Sequence, residues 1–298
     1  MKRRLRVPLL AVLLAVAAAQ GAPLPGTAGA VRRGYLAVDG SQVHYRYSAP
    51  PPGARTRPPV FLFHLSPNSG QVFSALLPLL ARDRLALAPD TPGYGMSDPL
   101  ADPQRIGAYA RHLARALAPV ADSAAIDAVG YHTGAGIALE IDRQDALPLR
   151  RVALVAVPVL TAEERAAGAA LPPIPFDEAG DWARAEWQRS WRWRGPGQGV
   201  DSVLATFAAK VRPGVRERGA RAILAHDTGA ALQAATAELY IVRVHDDLWE
   251  ATARARALRP EARYTELADF GHGVFHAAPR RMDRLLRAFF DAPARTDD

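Results

Sequence analysis

Ala128-Val129-Gly130-Tyr131-His132-Thr133-Gly134-Ala135-Gly136 is the stretch that decides how this chain folds. An apolar run closed by one glycine, with a second glycine four positions on, is the layout of a strand that turns sharply into a helix. Glycines on both flanks leave room for a strained central residue whose side chain stands out over the sheet. That central residue is His132.

Working outward, Pro59 to Phe63 reads as a buried strand ending at the turn His64-Leu65-Ser66-Pro67. Leu85 to Pro89 reads as the next strand, followed by the glycine-rich loop Asp90-Thr91-Pro92-Gly93-Tyr94-Gly95-Met96-Ser97-Asp98. Gly34 to Gly40 and Gln42 to Tyr47 alternate in period two around Asp39-Gly40, as an entry hairpin does. Helices are predicted near 70–82, 106–120 and 134–145, with a further strand at 151–157. Glu238 to Val244 is another apolar strand, running into His245-Asp246-Asp247, and Leu267-Ala268-Asp269-Phe270-Gly271-His272-Gly273 precedes an amphipathic helix over about 279–290. Strands alternating with helices imply a mainly parallel sheet, whose ligands gather at the carboxyl ends of the strands. His64, His132, Asp247 and His272 all fall at or just beyond such ends.

In this order the blocks resemble the α/β-hydrolase family from about Gly34 to the C-terminus, and the Asp-x-x-Gly-x-Gly-x-Ser-Asp loop is the most specific of them. The resemblance implies an α/β fold with a mainly parallel central sheet, flanking helices and an inserted helical cap. Three blocks, Gly-Tyr-His-Thr-Gly, Asp-Thr-Pro-Gly-Tyr-Gly and Asp-Asp-Leu-Trp-Glu, are similar to a bacterial subgroup with histidine in place of the serine of G-x-S-x-G. Residues 34–158 and 236–298 then form the core, and 159–235, too long for a plain loop, forms the cap. The cap carries Phe176, Trp182, Trp187, Trp191, Trp193 and Phe207. These aromatics either knit the cap to the core or line an apolar pocket, and both readings stand at this point.

The family's triad runs in chain order nucleophile, acid, histidine, which implies His132, Asp247 and His272 here, with Asp246 as the rival acid. The implied oxyanion hole uses the backbone N–H groups of Thr133 and Ser66, although Leu65 stands where the family's turn has glycine. His64 is expected to support that turn. Without a serine hydroxyl, His132 has three roles open: nucleophile through an acylimidazole, general base toward water, or a binding group only. The expectation is a hydrolase of a small ester, thioester or related carbonyl compound; the alternative is a noncatalytic ligand-binding protein on the same scaffold. Three histidines and a carboxylate near one mouth resemble a metal ligand set, but no His-x-His or His-x-x-x-His spacing supports one. Neither a metal nor a cofactor is expected.

With 298 residues, 49% of them hydrophobic, the chain can fill one large core with an insertion. The formal net charge is +7, yet the arginines are spread along the chain in ones and twos, lysine is nearly absent, and no basic run interleaves with aromatics in the body, so nucleic acid is not an expected partner. A small-molecule substrate is. Residues 1–19, with Lys2, Arg3, Arg4 and Arg6 ahead of an apolar run ending in Ala17-Ala18-Ala19, read as an export signal to a bacterial periplasm or beyond, and 20–33 as a flexible segment. The apolar run from Val7 to Ala19 falls short of the about 20 residues a membrane span needs, so no stable span is expected once the signal is cleaved. The absence of cysteine removes disulfides and thiolate chemistry.

Overall fold

The computed structural model describes residues 29–54, 57–101, 103–121, 125–169, 176–195, 198–212 and 214–293. The expected signal segment 1–19 and residues 20–28 of the segment after it lie outside the described residues, while Arg32 and Arg33 already belong to the first strand. Eight strands form one sheet: β1 (Arg32–Val38), β2 (Ser41–Ser48), β3 (Val60–Phe63), β4 (Ala86–Pro89), β5 (Ile126–Tyr131), β6 (Leu149–Val155), β7 (Glu238–Val244) and β8 (Arg263–Leu267). Their spatial order is β1-β2-β4-β3-β5-β6-β7-β8. β2 pairs antiparallel with both β1 and β4, and every pair from β4 to β8 is parallel. The hairpin between β1 and β2 turns at Asp39 and Gly40, both at positive φ, as a tight two-residue turn requires.

β3, β4 and β5 are buried at every residue because helices cover both faces, which is why β3 and β4 read as unbroken apolar runs without alternation and β5 departs from one only at Asp127. Successive side chains still point to opposite layers. Phe61, Phe63 and Ala128 enter one core with Tyr109, Leu113 and Leu117 of α2 (Ile106–Ala121); Val60, Leu62 and Val129 enter the other. The second core is closed by α1 (Leu77–Leu80), and by Met282, Leu286, Phe289 and Phe290 of the C-terminal helix, whose spacing places them on one helical face. Burying each such side chain contributes about 1.5–3 kcal/mol.

The single helix expected over 70–82 is not formed. A 3₁₀ turn at Gly70–Phe73 and the one-turn helix α1 stand in its place. Pro78 explains the break: it has no N–H to donate to the carbonyl of Ser74, and its ring would crowd that carbonyl in a continuous helix.

α3 (Thr133–Arg143) follows β5. Between β6 and β7 come α4 (Ala162–Ala169), α5 (Asp181–Arg192), α6 (Val200–Lys210), α7 (Val215–Leu224) and α8 (Thr228–Gln233), with no strand among the described residues. α9 (Trp249–Leu258), α10 (Val274–Ala277) and α11 (Pro279–Phe290) complete the chain, and among the described residues no helix is long and apolar enough to cross a membrane. Much of the arginine excess is used inside the molecule. Arg150 holds both carboxylate oxygens of fully buried Asp127, and Arg151 donates to the carbonyls of Phe290 and Ala292, tying down the end of α11. Burial pushes the Asp127 pKa up to about 6 even with Arg150, Arg84 and Arg151 pulling it down.

Candidate active site

The chain leaves β3 toward β4 on one side and returns to β5 on the other, so the carboxyl ends of β3 and β5 form the crevice where such sheets place ligands. His132 stands at this crevice with φ 57° and ψ −116°, a conformation few non-glycine residues adopt. Its backbone is pinned on both sides: its N–H donates to the Val155 carbonyl at 2.9 Å, and its own carbonyl accepts from Ala135 N–H at 2.9 Å. The flanking glycines are dictated by contact. A Cβ on Gly130 would sit 2.6 Å from Ala135 Cα, and one on Gly134 would sit 2.0 Å from the Phe63 carbonyl oxygen. Gly134→Ala is therefore expected to cost about 3 kcal/mol or more in denaturant unfolding, at or beyond the top of the usual overpacking range. Gly199→Ala, where nothing lies within 4 Å, is the control expected to change little.

The loops beneath the crevice are fixed by buried polar groups. His64 accepts from Thr91 N–H through Nε2 and donates from Nδ1 to the Leu65 carbonyl, both at 2.8 Å, so it is a neutral support; burial lowers its pKa. Asp90 accepts from His44 Nδ1 at 2.8 Å, Gly70 N–H at 2.8 Å and Met96 N–H at 3.0 Å, joining three segments of backbone. A Cβ on Gly95 would come 2.0 Å from the same carboxylate, which accounts for the glycine in the Asp-x-x-Gly-x-Gly loop. Ser66 N–H points to Thr133 Oγ1 at 3.4 Å, so the two residues expected to supply oxyanion donors are neighbours beside His132.

His272, in the turn between β8 and α10, brings its ring centroid to 5.5 Å from that of His132. Asp247, just past β7, lies between them. One oxygen, Oδ1, is 3.3 Å from His132 Nε2 and 2.8 Å from His272 Nε2. The expected arrangement has a carboxylate on one nitrogen of the base and the reacting group on the other. Here Asp247 takes the Nε2 atoms of both rings, and Asp246 faces His272 Nδ1 at 3.9 Å from a fully buried position. Asp246 Oδ1 accepts from Leu248 N–H at 2.9 Å; Oδ2 is buried without a hydrogen-bond partner among the described residues.

The electrostatics follow from this packing. Burial acts to lower the His132 pKa, but the hydrogen bond and charge of Asp247, helped by Asp246, raise it above the ordinary 6.5. Desolvation works against the Asp247 carboxylate, yet the hydrogen bonds and charges of the two imidazoles hold its pKa well below the usual carboxylate range. Burial pushes Asp246 up, only partly offset by His132 and His272.

His132, Asp247 and His272 open into a cavity of about 350 Å³. Leu65, Val72, Tyr131 and Phe275 make its apolar side. The opposite side comes from α5, α6 and the segment joining them, including Arg189, Ser190, Trp193 and Lys210. Trp193 meets the His272 ring edge-on at 5.9 Å, and of the six aromatics singled out in this insertion it is the one that lines the cavity. Trp187 stacks on Trp191 and against Phe207, and Phe176 packs on Trp182, so those five bind the insertion together. A polar lining from α5 and α6 was not anticipated from the sequence, nor was the sharing of Asp247.

Ligand-capable atoms of His132, Asp246, Asp247 and His272 all lie within 4.8 Å of one another. Two ligands of one tetrahedral zinc, each at about 2.0–2.1 Å, stand about 3.4 Å apart. The 2.8 Å between Asp247 Oδ1 and His272 Nε2 is instead the separation of a close ion pair, shorter than that of two ligands of one zinc.

No family model matches this sequence, and no curated protein sequence does. Solved structures match closely in shape. An esterase from Rhodococcus sp. ECU1013 superposes with a TM-score of 0.72 at 21% identity, covering 89% of this chain and 100% of its own. E-2-(acetamidomethylene)succinate hydrolase gives 0.69 at 20% identity over 88% of this chain and 100% of its own. A haloalkane dehalogenase variant from Bradyrhizobium elkanii gives 0.63 at 17% identity over 88% and 97%. The chain has the α/β-hydrolase fold.

Proposed function

We propose that this α/β-hydrolase-fold chain hydrolyses a small ester, thioester or related carbonyl compound, with His132 drawing the proton from the attacking water. The observation that carries the reading is the single Asp247 oxygen between the two imidazoles, 3.3 Å from His132 Nε2 and 2.8 Å from His272 Nε2. A carboxylate that accepts from one ring nitrogen fixes the tautomer, makes the other nitrogen more basic, and stabilises the imidazolium that forms. In a serine triad that service goes to the base; here it reaches the residue at the elbow apex. The backbone N–H of Thr133, first residue of α3, is assigned to the oxyanion that develops on the substrate, together with that of Ser66 once the oxyanion displaces its long 3.4 Å contact with Thr133 Oγ1. His272, between Asp246 and Asp247, is assigned the proton that the leaving group needs. The helical insertion over 159–235 is assigned the role of a cap that keeps bulk water from the cavity.

The test is a panel of activated esters, thioesters and lactones assayed with the purified protein. Turnover that saturates with substrate and survives chelation of metals supports the reading. Tight binding of these compounds without turnover would overturn it in favour of a ligand-binding protein.

A further inference from the structure

Lysine occurs twice in the whole chain, at Lys2 and Lys210, against thirty-five arginines. Lys2 lies in the expected export signal. Every other cation of the body is arginine, and the one lysine faces the cavity. It is the last residue of α6, and with Ser202 and Thr206 it completes an i, i+4, i+8 row that lines the cavity beside a single apolar residue of the helix, Val203. A helix that merely roofed an apolar pocket would present leucines there.

The surroundings of Lys210 leave its charge unmatched. Glu186, on α5 and 4% exposed, accepts from Arg189 through both carboxylate oxygens at 2.9 and 2.8 Å, and from Ser190 Oγ at 3.0 Å. Arg189 therefore neutralises Glu186. Lys210 Nζ donates to Ser190 Oγ at 3.0 Å, and among the described residues no carboxylate lies within 4.0 Å of it. The group Lys210, Arg189 and Glu186 thus carries one positive charge in excess, and a desolvated charge without a partner is costly. Among the described residues, Ser190 Oγ is the one side-chain acceptor that the ammonium group meets, which leaves hydrogens to donate to a ligand. Arg194, stacked over Trp191 at 3.9 Å, adds a second cation on the same side of the cavity. Among the described residues, the one carboxylate lining the cavity is Asp247, beside the imidazoles.

We infer that Lys210, with Ser190 beside it and Arg189 and Arg194 nearby, is a carboxylate-binding subsite, and that the substrate is a carbonyl compound bearing an anionic carboxylate arm. This deepens the hydrolase reading and rests on it for the reacting end. A carboxylate held at Lys210 leaves the uncharged carbonyl end of the same molecule for His132, which lines the same cavity. Burial, opposed by Glu186 and assisted by Arg189, brings the Lys210 pKa down to about 8; an arriving carboxylate restores the full charge.

The test compares two ligands of one shape, monomethyl glutarate and its primary amide, methyl glutaramate. Binding is measured by calorimetry near neutral pH, which needs no turnover and so stands apart from the hydrolase reading. The intact protein is expected to bind the carboxylate about 10- to 100-fold more tightly than the amide, the difference a charge-assisted hydrogen bond supplies. Lys210→Met is expected to remove most of that preference, and Lys210→Arg to keep part of it. Equal affinity of the intact protein for the two ligands would overturn the subsite, and this arm needs no variant to fold. So would a preference that survives in Lys210→Met with an unchanged melting temperature. If the preference holds and the corresponding p-nitrophenyl half-ester is not hydrolysed, the subsite stands and the hydrolase reading fails.

Discussion

The His132→Ala variant is expected to lose about 10³-fold or more in kcat/KM on whichever activated ester the intact protein turns over, the loss that follows removal of a positioned base. Substrate affinity should change much less, because the apolar side of the cavity and the α6 face are untouched. The melting temperature is the control: the His132 side chain is partly exposed, and it hydrogen-bonds to Asp247 at 3.3 Å. Turnover close to that of the intact protein would remove His132 from the chemistry. Mass spectrometry of the protein during turnover separates the two reactive roles. A base leaves no adduct, whereas an acyl group accumulating on His132 would make it the nucleophile.

The same geometry says why serine at this position should not restore an ordinary esterase. A serine nucleophile needs Nε2 of the base, with the acid on Nδ1. His272 Nε2 is held by Asp247 at 2.8 Å. Asp246 is on the Nδ1 side at 3.9 Å, fully buried, where a triad's acid belongs. On the proposed reading, His132→Ser alone is expected to give no ordinary esterase, because His272 Nε2 faces Asp247, a carboxylate displaced by one residue from the one on the Nδ1 side.

That displacement marks where the sequence stops being legible. The sheet could be read because parallel strands covered on both faces leave unbroken apolar runs, as in Val60–Phe63 and the stretch from Leu239 to Val242. The elbow could be read because Gly130 and Gly134 have no room for a side chain. The meeting of His132, Asp247 and His272 followed from topology, since each lies beyond the carboxyl end of a parallel strand. Pro78, by contrast, interrupts an apolar pattern that otherwise resembles a helix, and the pattern hid it. Which ring nitrogen a carboxylate reaches depends on side-chain torsions at two adjacent aspartates, and spacing carries no information on that. The polar face of α6 escaped for a related reason: Ser202, Thr206 and Lys210 look like a solvated surface until α5 and the sheet are placed beside them. Lysine scarcity was the sequence signal available for Lys210, and the cavity gives it a meaning.

Asp247→Asn is the variant that tests the shared carboxylate. An asparagine of the same shape cannot accept from both imidazoles with a full negative charge, so neither tautomer is enforced and the imidazolium loses its counter-charge. A fall in kcat/KM of about 10²- to 10⁴-fold is expected, the upper end being what loss of a triad carboxylate causes. The pH profile supplies a signature that simple misfolding would not. His132 must be neutral to take a proton, so activity rises with pH through its pKa, which in the intact protein lies above 6.5 because Asp247 and Asp246 outweigh burial. Removing the charge at 247 leaves burial opposed only by Asp246, so the acid limb of kcat/KM should move to lower pH even as the plateau drops. Asp246→Asn should shift the limb in the same direction by less, since its charge acts on His132 without a hydrogen bond. An acid limb that stays in place in Asp247→Asn would mean that the group titrating it is not the imidazole at the elbow. The assignment of the base would then pass from His132 to another residue.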